Sequence, residues 1–209
     1  MTDTATPETS DPAADLALIR RMMHEGRQAA TVDGTHLLIW GTLLGLGFLG
    51  QFVVITRGHG GASATVWAPV ILIGWVLSFW LGYRQGRTRP QNKLTKLYAI
   101  AFQGVGIVMT LYFITGLVGE GVNGVGVTLL ACGVIGLAFF VMGEATDLGW
   151  LKGCAFGWWT LMAYVSLKGT VLLPDLLILC AACWLLITVP GLRLMRMRRR
   201  PGDAASASA

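Results

Sequence analysis

Six stretches of this chain are apolar enough, and long enough as helices, to cross a lipid bilayer. A bilayer core about 30 Å thick needs about 20 helical residues, since each residue adds about 1.5 Å. Short polar segments separate the six stretches, so consecutive helices are predicted to run in opposite directions. The predicted spans are Leu37–Ile55, Val66–Tyr83, Leu97–Val118, Val125–Met142, Leu151–Leu167 and Val171–Leu192.

The composition agrees with a protein that lives in lipid. Hydrophobic residues make up 54% of the chain and charged residues 13%, against about 25% charged residues in an ordinary soluble domain. In a chain of 209 residues, six spans leave almost nothing for a separate soluble domain. We therefore predict an all-α fold, an integral membrane six-helix bundle over residues 34–192, preceded by an N-terminal amphipathic interfacial helix.

The distribution of positive charge predicts the orientation. If the N-terminus is cytoplasmic, all but two of the 16 lysines and arginines lie on the cytoplasmic side, and Arg57 and Lys168 lie on the other. Short loops follow the positive-inside rule, so both termini are predicted to be cytoplasmic. The basic residues on that side are Arg20, Arg21, Arg27, Arg84, Arg87, Arg89, Lys93, Lys96, Lys152, Arg193, Arg196, Arg198, Arg199 and Arg200.

These basic residues flank the spans and form no separate basic module. They suit the anionic headgroups of a lipid bilayer, which we predict as the partner in place of nucleic acid. The abundance of arginine, alanine and glycine is typical of a GC-rich bacterial genome. The sequence therefore predicts a multi-pass protein of the bacterial inner membrane.

The regions outside the spans are predicted to be two tails and one helix. Residues 1–14 are polar and carry acidic residues where a cleavable signal peptide would need positive charge, so we expect a disordered tail. Residues 15–33 place apolar residues on one helical face and arginines on another, which predicts a helix lying on the cytoplasmic membrane surface. The alternative for this helix is a docking surface for a cytoplasmic partner. Residues 193–209 read as a basic and then small-residue tail.

Glycines at four-residue spacing predict where helices pack closely. Gly41 and Gly45 form one such step in the first span, and Gly149, Gly153 and Gly157 form a double step at the start of the fifth. Membrane helices associate by close backbone approach at small residues, because apolar side chains gain little by leaving lipid. Packing within one chain is the first interpretation, and pairing between copies is the alternative.

Four polar residues at the cytoplasmic boundary form a candidate network. Asp33 and His36 lie just before the first span, and Glu144 and Asp147 lie just after the fourth. The two residues of each pair are three positions apart. If the spans are neighbours, these side chains could share a polar network or bind a divalent cation, because carboxylates and imidazole are suitable ligands. The alternative is ordinary solvation at the interface with helix capping.

The spans contain few groups that could carry chemistry. No charged residue lies near the centre of a span, where transporters and proton pumps place the ionisable groups that they use. Cys180 and Cys183 form a CxxC in an apolar helix, where thiols stay protonated and behave as small apolar side chains. The sequence therefore predicts no catalytic residue and no cofactor.

Two classes of function remain. The first is a small non-enzymatic membrane protein that acts by assembly, docking or sensing, with a membrane or cytoplasmic protein partner or as a homo-oligomer. The second follows from architecture, because the size and the six short-looped spans resemble the substrate-binding subunits of vitamin uptake systems. That resemblance implies a small-molecule transporter or the substrate-binding subunit of a membrane uptake system.

Overall fold

The computed structural model describes residues 34–60, 63–86, 93–118 and 121–206, and this part of the chain is helical and without strands. The predicted tail at 1–14 and the predicted amphipathic helix at 15–33 lie outside the described residues. The helices are α1 Thr35–Thr56, α2 Ser63–Gly86, α3 Lys93–Val118, α4 Gly124–Thr146, α5 Gly149–Lys168, α6 Leu173–Cys183 and α7 Val189–Ser206. The first five predicted spans each lie within one helix, and the sixth, Val171–Leu192, falls mostly on α6, a π-helical segment and the start of α7.

Five of the described helices are long and apolar enough to cross a membrane. Four of them are α1 to α4, and the fifth is the continuous helix formed by α6 and α7. The exception is α5, which is 20 residues long but carries Trp150, Trp158, Trp159 and a lysine near each end. These residues lower its mean hydropathy, although its length equals that of a span.

The last helix is longer than the predicted span. A π-helical segment, Trp184–Thr188, joins α6 to α7 without a break, and α7 continues to Ser206. The start of the predicted C-terminal tail is therefore helical, as the strong helix propensities of arginine and alanine favour. Pro190 lies two residues after the end of the π segment, and proline lacks the N–H group that closes an α-helical turn. A π turn is one of the local adjustments that accommodate proline in an apolar helix.

Packed helices run antiparallel around an apolar core. α1 lies along the last helix from α6 through the π segment to the start of α7 and also contacts α2, while α4 packs against both α3 and α5. The aromatic pair Phe102 and Phe139 joins α3 to α4, with ring centroids 5.7 Å apart. The core is formed mainly by buried side chains of α1, α4, α5 and the last helix, among them Leu37, Phe139, Leu151, Trp158, Cys183 and Ile187.

This packing collects the helix ends at two sides of the bundle. We call the basic end the side where α1 and α5 begin, α2 and α4 end, and α7 passes. At that end Arg193 lies over the ring of Trp150, with its Cζ atom 4.9 Å from the ring centroid. Arg84, near the end of α2, lies over Trp80 in the same way at 5.2 Å. The opposite end carries the turn from α5 to α6.

The helices α2 and α3 are covered much less than the others. Among the side chains that the structure describes, α2 has one buried residue, Gly74, and α3 has none. Two side-chain hydrogen bonds fasten α2 to α1. The indole of Trp67 donates to Gln51 at 2.9 Å, and the indole of Trp40 donates to Ser78 at 2.9 Å. The polar residue Gln51 therefore links two helices, as such residues commonly do in membranes.

Candidate functional site

The most enclosed polar cluster of the described residues lies at the opposite end, around Asp175. This residue is 2% exposed. The ammonium group of Lys168 donates to both carboxylate oxygens, at 2.8 and 2.7 Å, and the hydroxyl of Tyr164 donates to Oδ1 at 2.9 Å. The backbone N–H of Leu172 donates to Oδ2 at 2.6 Å. The carboxylate thus has donors on both oxygens and a positive partner for its charge.

Local sequence explains why these groups meet. Helix α5 ends at Lys168, and Gly169 follows with a φ of 66°, a left-handed conformation that glycine adopts without steric cost. Pro174 lies in the first turn of α6, where a missing N–H group costs nothing. The short turn between the two helices brings Lys168 and Tyr164 alongside the first turn of α6. The pair then joins the two helix ends.

The same ion pair holds Lys168 in its charged form. This lysine follows the predicted span Leu151–Leu167, and its hydrogen bond to Asp175 raises the pKa of its ammonium group above the usual range. A raised pKa stabilises the fold below the ordinary lysine pKa of about 10.4, and that contribution is lost as the pH rises through the higher folded value. The pair therefore stays intact throughout the neutral range.

A second site is the glycine seam, which we define as Gly34, Gly41 and Gly45 with Gly191 of α7. A Cβ atom at Gly41 would lie 2.7 Å from the backbone nitrogen of Thr188, and one at Gly191 would lie 2.8 Å from the carbonyl oxygen of Gly34. Gly45 packs against the indole ring of Trp184. The backbones of the two helices therefore come close at Gly34, Gly41 and Gly191, and Gly45, the other glycine of the predicted step, makes room for the indole ring of Trp184.

The double step at the start of α5 differs from its prediction. A Cβ atom at Gly149 or Gly153 would meet no described atom within 4 Å, so these two glycines lie on an open face of the helix. Gly157 does face the last helix, where a Cβ atom would lie 3.0 Å from the Cδ1 atom of Leu186. Closer to the basic end, the contact between α5 and the last helix is made by the side chains of Trp150 and Arg193.

The predicted network at the cytoplasmic boundary is not assembled by the described residues. Asp33 lies outside them, and His36 is a half-buried residue of the first turn of α1. Glu144 forms an ion pair with Lys152 across the turn from α4 to α5. Asp147 ends α4 in a left-handed conformation, with a φ of 56°, and is exposed. Within the described ranges, no three His, Cys, Asp or Glu residues are placed to hold a metal ion.

The core contains two polar atoms whose hydrogen-bonding needs are unmet by the described residues. They are the indole nitrogen of the buried Trp158 and the hydroxyl oxygen of Thr188. Thr188 is the last residue of the π segment and faces Gly41. The four cysteines, Cys132, Cys154, Cys180 and Cys183, are free thiols, and three of them are buried.

Sequence reasoning missed the cluster around Asp175. The available signal was a pair of opposite charges on either side of a short turn bounded by Gly169 and Pro174.

Comparison with known proteins adds no constraint on the function: no family model, curated protein or solved structure matches the chain.

Proposed function

We propose that this chain is a non-enzymatic, six-span protein of the bacterial inner membrane that acts by assembly with, or docking to, another membrane component. The observation that supports it best is the uneven coverage of the helices. The core enclosed by α1, α4, α5 and the last helix is filled with apolar side chains, whereas α2 and α3 leave a broad apolar surface beside it.

The geometry of α5 supports counting it as a membrane span, which brings the number of proposed spans to six. Trp150 and Lys168 are 18 residues apart on this helix, a rise of about 27 Å, which is close to the thickness of the bilayer core. Each end of α5 is joined to the last helix, through Arg193 at the basic end and Asp175 at the other. Because the last helix is itself apolar enough to cross a membrane, α5 would cross beside it.

The exposed surface of α2 supports a role in assembly. Leu72, Val76, Phe79 and Tyr83 recur at helical spacing, and Phe79 is 70% exposed. Aromatic residues are enriched where proteins meet each other. We name this set the α2 face and propose that it is the docking surface.

Reporter fusions test the proposed orientation. A reporter active in the cytoplasm is expected to work when fused after Ala209, and a reporter active in the periplasm when inserted at Gly60, between α1 and α2. The expectation follows from the concentration of arginine and lysine at the basic end. Cytoplasmic activity at Gly60, or protein recovered from cells without detergent, would refute the proposal.

Photo-crosslinking tests the proposed assembly. A photoreactive amino acid at Phe79 is expected to give a protein adduct of one defined mass in native membranes. The matched control is the same probe at Leu185, an equally apolar and 64% exposed position on the last helix, where lipid adducts are expected. A mass of twice the chain would identify a homo-oligomer. Lipid adducts alone at both positions would contradict docking through the α2 face.

The alternative function, transport or substrate binding, makes a different prediction. The unmet donors at Trp158 and Thr188 are the observation that favours it, because a bound molecule with an acceptor oxygen would satisfy them. A small molecule that raises the melting temperature of the parent, and not that of a Thr188→Val variant, would support this alternative over assembly.

A further inference from the structure

We propose that the face of the last helix at the basic end binds the phosphate group of an anionic phospholipid. This inference rests on the proposed membrane location. The site consists of Arg193 and Arg196, with Val189 and Leu192 one turn earlier on the same side of α7. All four side chains are exposed.

The order of these residues along the helix suits a lipid, which has an apolar chain at one end and a charged headgroup at the other. Positions 189, 192, 193 and 196 follow the repeat of one helical face, so apolar side chains come first and arginines follow along a single line. Leu185, in the π segment, extends the apolar part toward the membrane centre and is 64% exposed. An acyl chain would lie on the apolar part while its phosphate met the arginines.

The charge of the site is not compensated by nearby acids of the same helix. The chain contains no aspartate or glutamate between Asp175 and Asp203. On the neighbouring turn, Glu144 is paired with Lys152, and Asp147 is the other acidic residue. Arg198, Arg199 and Arg200 follow directly in the sequence and add positive charge. Anionic headgroups attract such clusters next to a membrane span.

Trp150 fixes one of the two arginines in place. The guanidinium group of Arg193 stacks on the indole ring at 4.9 Å, an attractive arrangement that still leaves its N–H groups able to donate. Tryptophan is also enriched at the level of lipid headgroups, so the ring marks the depth at which a phosphate would lie. At the opposite end Lys168 is already neutralised by Asp175, which leaves Arg57 as the other basic residue of that side. The asymmetry assigns the lipid site to the basic end.

The test measures lipid binding to the full chain in a neutral detergent. Phosphatidylglycerol is expected to raise the melting temperature and to remain bound in native mass spectrometry, whereas phosphatidylcholine and inorganic phosphate should do neither. Arg193→Gln with Arg196→Gln is expected to weaken phosphatidylglycerol binding roughly 25-fold, because each basic side chain near an anionic surface contributes about 1 kcal/mol. The effect should diminish as salt is added.

Two further variants separate this site from general charge effects. Arg57→Gln removes a positive charge at the opposite end and should leave phosphatidylglycerol binding unchanged. Replacing both arginines by lysine keeps the charge and should retain most of the binding, which also guards against a variant that fails to fold. Equal binding by the parent and the double glutamine variant, or equal stabilisation by inorganic phosphate, would overturn the lipid site. Failure of the reporter fusions would instead overturn the membrane location on which it rests.

Discussion

Alanine in place of Gly41 is expected to lower the melting temperature of the detergent-solubilised protein clearly. The added Cβ atom would lie 2.7 Å from the backbone nitrogen of Thr188, and backbone atoms cannot rotate away as a side chain can. Helix α1 must then separate from the last helix along the glycine seam. Overpacking of this kind costs about 1–3 kcal/mol, and Gly41→Leu should cost more. Thermal unfolding followed by circular dichroism gives the measurement.

The matched control is Gly153→Ala on α5. A Cβ atom there meets no described atom within 4 Å, and alanine favours the helix more than glycine does. This variant should melt at the same temperature as the parent or slightly higher. If Gly41→Ala melted like the parent while Gly153→Ala were destabilised, the assignment of the two glycine faces would be reversed.

Loss of the Asp175 carboxylate is the second substitution with a large expected effect. Asp175→Ala removes the acceptor for Lys168, Tyr164 and the N–H group of Leu172 together. Breaking a buried ion pair by removing one partner costs about 3–5 kcal/mol, and we expect a loss near the lower end because Lys168 is partly exposed and can turn to water. The melting temperature in detergent should fall accordingly.

Two variants show whether charge or packing is responsible. Tyr164→Phe removes one hydrogen bond and should cost about 1 kcal/mol. Asp175→Leu combined with Lys168→Met replaces the pair by apolar side chains, which is often nearly neutral. This double variant should therefore melt closer to the parent than Asp175→Ala does. A double variant as unstable as Asp175→Ala would mean that the loss comes from the missing carboxylate and its hydrogen bonds, and not from an uncompensated charge on Lys168.

The positions of the helices could be predicted from sequence because each depends on local composition. A run such as Val125–Met142 is almost entirely apolar, so a helix suited to a membrane can be predicted there from length and hydropathy alone. Partner choice depends on information that hydropathy lacks. Gly41 and Gly153 sit in similar four-residue steps, yet one faces the last helix and the other an open surface. Which step is used depends on how each helix is rotated about its own axis, and hydropathy does not reveal that rotation.

The contacts of the candidate sites likewise include some that local sequence predicts and some that depend on how the helices pack. An amide side chain in an apolar helix needs a hydrogen-bond partner, and Gln51 of α1 accepts from Trp67 of α2. The pairing of Lys168 with Asp175 depends on the conformation of the turn between them, and charge alone allowed each residue to be solvated separately. The predicted network around His36 depended on α1 lying beside α4 or α5, and hydropathy could not reveal that the main neighbours of α1 among the described helices are the last helix and α2.

The glycines of α1 explain how this helix stays against the last helix past the π segment. Gly45 lies opposite Trp184, Gly41 opposite Thr188 and Gly34 opposite Gly191, so the contacts on the last helix follow each other at steps of four and three residues. A helix with 3.6 residues per turn completes almost two turns in seven residues, about 20° short, so these contacts stay on one side of it. Three small residues of α1 therefore keep one line of contact on a helix that contains both a π segment and Pro190 and is not broken by either.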